Sequence, residues 1–457
     1  MATNRSFSPL QLSAVRLILV AGAFHIILVL GISLIGITGI LPSTFNADGV
    51  GISFAIDSIG YHQEASEMAQ LLQKGRFQDW LDYPSVFPTT LHIRIYSLGF
   101  TALGKLVGFR TLAAEPLNLI YYVSILLLTY AVGSDVFGPK VGRLAALSVS
   151  VWPSFLLHTT QLLRDPLFIS AMLLLIWGML FCIRRELSVL KALAITAIAL
   201  FAVLVALLCR PDVREILLVA LLLAGGICIV TQLRERRVHL QNILAIVVVT
   251  IFAIWVPMVL PTGRLSGHAS SESSSPAPTQ AGQVQRSTDV PSWEKFARRV
   301  GLLRHKFIVA YPLAGSNVDT GVELNSVTDL IRYLPRAAEV GYFAPFPYMW
   351  FVRGEQVGIV GRLVSGAEML VMYFVFGLSV VTLVQQRNRL IIWFLFLLSA
   401  VGCIALGYVV VNISALYRMR YTFFILLLIL GVQGLLGLAK QGNKSQRTSE
   451  IEAVTTG

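Results

Sequence analysis

Asp57, in Phe54-Ala55-Ile56-Asp57-Ser58-Ile59-Gly60-Tyr61-His62, follows the first long apolar run, and Asp165, in Gln161-Leu162-Leu163-Arg164-Asp165-Pro166, stands at the edge of another. A carboxylate at the mouth of a membrane-level cavity can accept the proton of an attacking hydroxyl. Two carboxylates on one face of a bilayer could build a single active site. Each also has a plainer role: Asp is a preferred helix N-cap, and Asp followed by Pro is a good cap and first-turn pair. Tyr61 lies one helical turn beyond Asp57 and could face the same pocket. His62 and His158 supply imidazoles nearby, so these histidines and the two aspartates could also hold a divalent cation, although no spacing fixes such a site.

Five arginines stand in turns on the same side as the aspartates: Arg164, Arg210, Arg214, Arg418 and Arg420. Each could snorkel to lipid headgroups. Together they could grip the phosphate of a lipid-linked substrate, because guanidinium matches phosphate oxygens in a fork geometry. No GxSxG elbow, HExxH zinc motif or GxxxxGK[ST] phosphate loop occurs in the chain. His25 falls inside the first apolar run, where an ionisable residue packs against another polar group or marks a functional site.

The elements that must position these groups are membrane spans. The chain is 56% hydrophobic with a mean hydropathy of +0.74 and 13% charged residues, about half the charge of a soluble domain. It is therefore expected to be an all-α polytopic membrane protein. The net charge of +12 resides in short connections between apolar runs, so it reports orientation and not a nucleic-acid partner. Four cysteines without CxxC spacing imply neither a disulfide framework nor a zinc site. Val15 to Leu41 is too long for a signal-peptide core and reads as a retained anchor.

Ten runs suit transmembrane helices: 15–41, 116–134, 142–158, 166–183, 189–208, 215–233, 241–260, 359–384, 390–411 and 421–438. Segment 91–108, interrupted by Arg94 and Lys105, would reverse everything downstream if it crossed. With 91–108 lying on or dipping into the membrane, the inner connections hold fifteen basic residues: Arg5, Arg16, Lys140, Arg143, Arg184, Arg185, Lys191, Arg234, Arg236, Arg237, Arg387, Arg389, Lys440, Lys444 and Arg447. The short outer turns hold only the five arginines, so the positive-inside rule puts both termini inside and both aspartates outside.

This divides the chain into an N-terminal transmembrane catalytic module (1–260, with first outer loop 42–115), a large outer loop (261–358), C-terminal spans (359–438) and an inner polar tail (439–457). In the first loop Tyr61, Ala65, Met68 and Leu72 oppose Glu64, Glu67 and Lys74, the pattern of a surface-lying amphipathic helix. The second opens with a Ser/Pro-rich tract, 266–292, expected to be mobile. Trp293, Phe296, Val300, Leu303 and Phe307 then mark another interfacial helix, with Lys295, Arg298 and Arg299 turned to water or lipid phosphate. The stretch Tyr342 to Trp350, twice broken by proline, suits an aromatic interfacial belt. No internal repeat is present.

In order, the chain shows one span, an outer loop with Asp57, Tyr61, His62 and Ala65, and the stretch Tyr83-Pro84-Ser85-Val86-Phe87-Pro88. A span ending in Phe137-Gly138-Pro139-Lys140-Val141-Gly142-Arg143 and then Trp152-Pro153 through Asp165 follow. Over residues 15–185 this resembles the C-type superfamily of membrane glycosyltransferases, in the branch of protein O-mannosyltransferases and the aminoarabinose transferase. The resemblance implies transfer of a sugar from a polyprenyl-phosphate carrier to a glycan, lipid or protein acceptor at the outer face of a bacterial inner membrane. By it, Asp57 matches the first-loop catalytic acid and Asp165 the acid of the second outer loop. Ser58 stands where many relatives carry Glu, and the usual Pro-Pro pair is split into Pro84 and Pro88, departures that bear on the acceptor class.

A phosphate leaving group needs no general acid, so one base and cationic groups suffice. Asp57 would be the base of an inverting single displacement, Arg210, Arg418 and Arg420 would steady the carrier phosphate, and Asp165 would orient the acceptor, Tyr61 or a cation. Two other classes also fit a polytopic chain with outer arginines. A polymerase or ligase of surface polysaccharide would carry its critical residues in 261–358, and a lipid-linked glycan transporter would need polar groups through the later spans.

Overall fold

A computed structural model describes residues 9–40, 55–259, 291–310, 312, 314–354 and 357–455. The tract 266–290 lies outside the described residues. The chain opens with α1 (Pro9–Thr38), then forms α2 (Ile56–Gln73), α3 (Phe77–Leu81) and α4 (Leu91–Val107) at one end of the bundle. Next come α5 (Glu115–Phe137), α6 (Pro139–Ser150), α7 (Pro153–Thr159), α8 (Asp165–Arg184), α9 (Val189–Cys209), α10 (Arg214–Glu235) and α11 (Leu240–Val259). After the large connection follow α12 (Ser292–Ala310), α13 (Val327–Phe343), α14 (Pro347–Trp350), α15 (Gly358–Gln385), α16 (Leu390–Val409), α17 (Ile413–Met419) and α18 (Tyr421–Thr455). Among the described residues there is no strand, only two isolated bridges. The polar tail continues α18 as helix.

Nine of these helices are long and apolar enough to cross a bilayer: α1, α5, α8, α9, α10, α11, α15, α16 and α18. The run expected as one helix over 142–158 is instead broken into α6 and α7. Pro153 has no amide hydrogen to donate, and it forces Trp152 into extended backbone (φ −71°, ψ 113°). The broken pair still makes a tenth crossing. At one end of the bundle, the Tyr96 hydroxyl lies 3.0 Å from both Asn118 Oδ1, near the start of α5, and the Leu163 carbonyl, just before α8, its one proton shared between them. At the other end Asp135, near the end of α5, accepts from Trp177 and Arg185 near the end of α8. The chain leaves α5 at that second end and enters α8 at the first, so α6 and α7 carry it back. Their twelve and seven residues supply roughly 18 and 10 Å of helix. Close packing of the hairpin rests on small residues: a Cβ at Gly133 would lie 2.8 Å from Gly142 Cα.

By contrast, α4 does not cross. His92, in its first turn, packs on Tyr61, and the Phe109 carbonyl, just after it, meets His62, so both ends stay with α2. The apolar face of α2 is not laid on lipid as its pattern suggested. Tyr61, Ala65, Met68 and Ala69 bury against Ile93, Tyr96 and Phe100 of α4 in a satellite core. Glu64 is buried too, accepting from Ser85 Oγ (2.5 Å) and Val86 N (2.8 Å), which ties the stretch 83–88 to α2. Gly60 allows Phe87 to approach, since a Cβ there would meet the ring at 2.6 Å.

The described part of the large connection between α11 and α15 is anchored by a buried cation. Arg304 of α12 donates to the carbonyls of Asp319, Val322 and Tyr408, and Arg336 pairs with Asp319. Trp293 and Phe296 of α12 are exposed, and so are Lys295, Arg298 and Arg299, the last of which also pairs with Glu215 of α10 at 3.0 Å. The aromatic stretch 342–350 is mostly interior: Tyr342, Phe346 and Trp350 are buried, and Tyr348 is exposed.

Candidate active site

Neither aspartate caps its helix. The N-cap positions of α2 and α8 fall to Ala55 and Arg164, neither with a side-chain cap, while Asp57 and Asp165 lie inside the first turns. Each carboxylate takes guanidinium groups instead. Arg418, at the end of α17, donates from Nη2 to Asp57 Oδ2 at 2.7 Å, and its Nη1 stands 3.8 Å from Asp165 Oδ2. Arg210, where α9 ends, donates to Asp165 Oδ1. The order is thus Asp57, Arg418, Asp165, Arg210, drawn from four separate turns at one end of the bundle.

Burial divides the roles of the two acids. The Asp165 side chain is 5% exposed and Asp57 26%. Asp165 is a buried counter-charge that fixes two guanidinium groups, whereas Asp57 stays accessible to a reacting hydroxyl. Burial would lower the pKa of Arg418, but Asp165 and Asp57 hold it above its ordinary value, so it remains a cation. Tyr61 lies in the same field, near Arg164, Asp57, Asp165 and Arg210, and burial above all keeps its phenol protonated.

Other expected site residues lie elsewhere. His62 turns away from Tyr61, meets the Phe109 carbonyl at 2.7 Å and packs its ring edge against Phe100. His158 is within electrostatic reach of Arg418 and Asp165, but its Nδ1 is taken up by the Ser154 carbonyl and approached by Tyr421. Arg420 is fully buried, donates to the Gly341 carbonyl, and stacks on Tyr417 and Phe424. It braces α13 against α18 and does not reach the carboxylates. Arg214 opens α10, and its buried Nε has no partner among the described residues. Arg210 is 4% exposed and committed to Asp165, so it steadies charge from behind. Of the five arginines, Arg418 is the one that reaches both carboxylates.

Arg164, another of the five arginines, donates to Thr89 Oγ1 (3.2 Å) and lies in the field of Tyr61, Asp212, Asp165 and Asp57. Two groups assigned no role by the sequence also belong here. Tyr96 pins the Leu163 carbonyl and so the turn that presents Arg164 and Asp165. Glu368, inside α15, accepts from Ser154 N (2.7 Å), Ser154 Oγ (2.6 Å) and Tyr417. It clamps α7 and α17, the elements bearing His158 and Arg418. The module 1–260 is therefore not self-contained, because its aspartates and α7 are completed by Arg418 and Glu368.

The donor set does not favour a divalent cation between the aspartates. Arg418 already stands between them, and no group of three His, Cys, Asp or Glu side chains suited to a metal occurs among the described residues. Beside the site, Trp152, Phe155, Met372, Tyr417, Tyr421 and Leu428 line a small apolar groove. It is separate from the carboxylates, but Tyr417 is the chain neighbour of Arg418. No protein-family model matches this sequence and no curated protein matches it, so function rests on the geometry.

Proposed function

We propose that this chain is a membrane glycosyltransferase that moves a sugar from a polyprenyl-phosphate carrier to a glycan, lipid or protein acceptor. The observation that carries the reading is the half-open Asp57 carboxylate held by Arg418, which Asp165 and Arg210 hold in turn. The acceptor oxygen attacks the anomeric carbon as the bond from that carbon to the phosphate oxygen breaks. The acceptor proton passes to Asp57, and the departing phosphate keeps the bonding electrons. Arg418 lies where that developing charge is met by a fixed cation. Configuration at the anomeric carbon inverts. The apolar side chains beside Tyr417 offer an isoprenoid chain a surface of its own polarity.

Loop charge supports an orientation with the site end outward and the basic end inward, and the resemblance implies that this outer side is the periplasm of a bacterial inner membrane. Polar residues of 291–354 such as Arg304, Asp319 and Arg336 are engaged in holding that region together, which favours the transferase over a polymerase or ligase centred there. The test is to supply purified protein with a panel of polyprenyl-phosphate sugars and a membrane-glycolipid extract, and to follow carrier phosphate release and product configuration. Release with inversion is expected. No turnover with any lipid-phosphate sugar, together with loss of glycan polymer length in Asp319 or Arg336 variants, would move the polymerase reading ahead.

A further inference from the structure

His92 stands in the first turn of α4 and is 1% exposed, yet neither Nδ1 nor Nε2 has a hydrogen-bond partner among the described residues. Buried imidazoles are ordinarily satisfied by protein or by a bound group. The ring meets Tyr61 edge-on, with centroids 4.4 Å apart at 81°, and lies within electrostatic reach of Arg164, Asp165 and Arg210. Ser58 Oγ and Arg210 Nε are likewise buried without partners among the described residues. Unspent hydrogen-bonding capacity thus gathers around Tyr61. Burial first, and then Arg164, push the His92 pKa well below the ordinary histidine value, so the ring is neutral, with one N–H donor and one acceptor.

We propose that His92 is a donor-binding residue, whose neutral ring N–H donates to a phosphate oxygen of the lipid carrier beside Tyr61 and Arg164. This rests on the lipid-phosphate reading above and adds a residue to it. A phosphate is favoured over a sugar hydroxyl because Arg164 and Arg210 lie in the same field, and a neutral donor adds direction without another buried cation among guanidinium groups. His92 would position the phosphate while Asp57 and Arg418 act at the reacting bond.

Binding of sugar-free undecaprenyl phosphate to the detergent-solubilised full chain tests this without catalysis, with undecaprenol as the uncharged control. His92→Phe keeps a ring against Tyr61 but has no nitrogen, and His92→Gln keeps a donor and an acceptor. His92→Phe is expected to unfold at or above the parent temperature and to bind the carrier about ten- to a hundredfold more weakly. His92→Gln should recover most of that loss, and in transfer assays the deficit should appear in KM for the donor and not in kcat. If His92→Phe binds undecaprenyl phosphate as tightly as the parent, His92 is a packing residue and the inference fails while the transferase reading stands. If the parent itself prefers the phosphate no more than undecaprenol, both fail together.

Discussion

Asp165→Asn separates a buried counter-charge from an accessible base. The substitution keeps the shape of the side chain but removes the negative charge that holds Arg210 (4% exposed) and Arg418 (16% exposed). Breaking a buried ion pair from one side costs about 3–5 kcal/mol, because a desolvated charge is left behind. Arg418 keeps Asp57, and Asn still offers an oxygen to Arg210, so the lower end, about 3 kcal/mol, is expected. The matching change Asp57→Asn disturbs a pair whose acid is 26% exposed and should cost about 1 kcal/mol or less. SDS-titrated unfolding in mixed micelles reads the difference. Removing the pair as a unit, by Asp165→Leu with Arg210→Met, should recover much of the loss, since an apolar replacement of a buried pair is often neutral. If Asp165→Asn is as stable as Asp57→Asn, or the double variant is no better than Asp165→Asn alone, Asp165 is not the buried counter-charge described.

Arg418→Lys keeps the charge but cannot fork between two carboxylates; transfer should fall by about tenfold or more while the protein remains folded, and parent-like rates would return Arg418 to a lipid-facing role. Chelation with EDTA should leave transfer unchanged, because Arg418 occupies the position between the aspartates; loss restored by one divalent ion would show that a metal enters. Gly60→Val should push Phe87 away and destabilise the α2–α4 unit by about 1–3 kcal/mol, read as faster proteolysis within 74–90. Orientation is checked with an impermeant thiol reagent on intact cells. The four native cysteines are buried, so Gln73→Cys should label and Arg236→Cys should not, and the reverse would invert the site.

That Asp57 and Asp165 share one end of the bundle was legible from charge in the turns, since orientation follows from loop charge alone. Their joining through Arg418 was not, because it spans 361 positions of chain and no local pattern encodes such a pairing. Arg418 and Arg420 looked equivalent in sequence, yet residues two apart on a helical turn point to different sides, which sends Arg420 into the core. The same geometry separates Tyr61 from His62. Periodicity identified the apolar face of α2 but not its cover, as hydrophobic spacing cannot distinguish lipid from α4. Hydropathy averaged over 142–158 concealed the break at Trp152-Pro153, although the proline itself was visible.

The central claim is that Asp57 is the base, and transfer by Asp57→Asn tests it most directly. Asn retains the size of the side chain but cannot take up a proton near neutral pH. Single-turnover transfer from a polyprenyl-phosphate sugar, measured beside unfolding in the same detergent, should show a folded protein slowed by about 100-fold or more. Transfer at the parent rate by a folded Asp57→Asn protein would contradict the account.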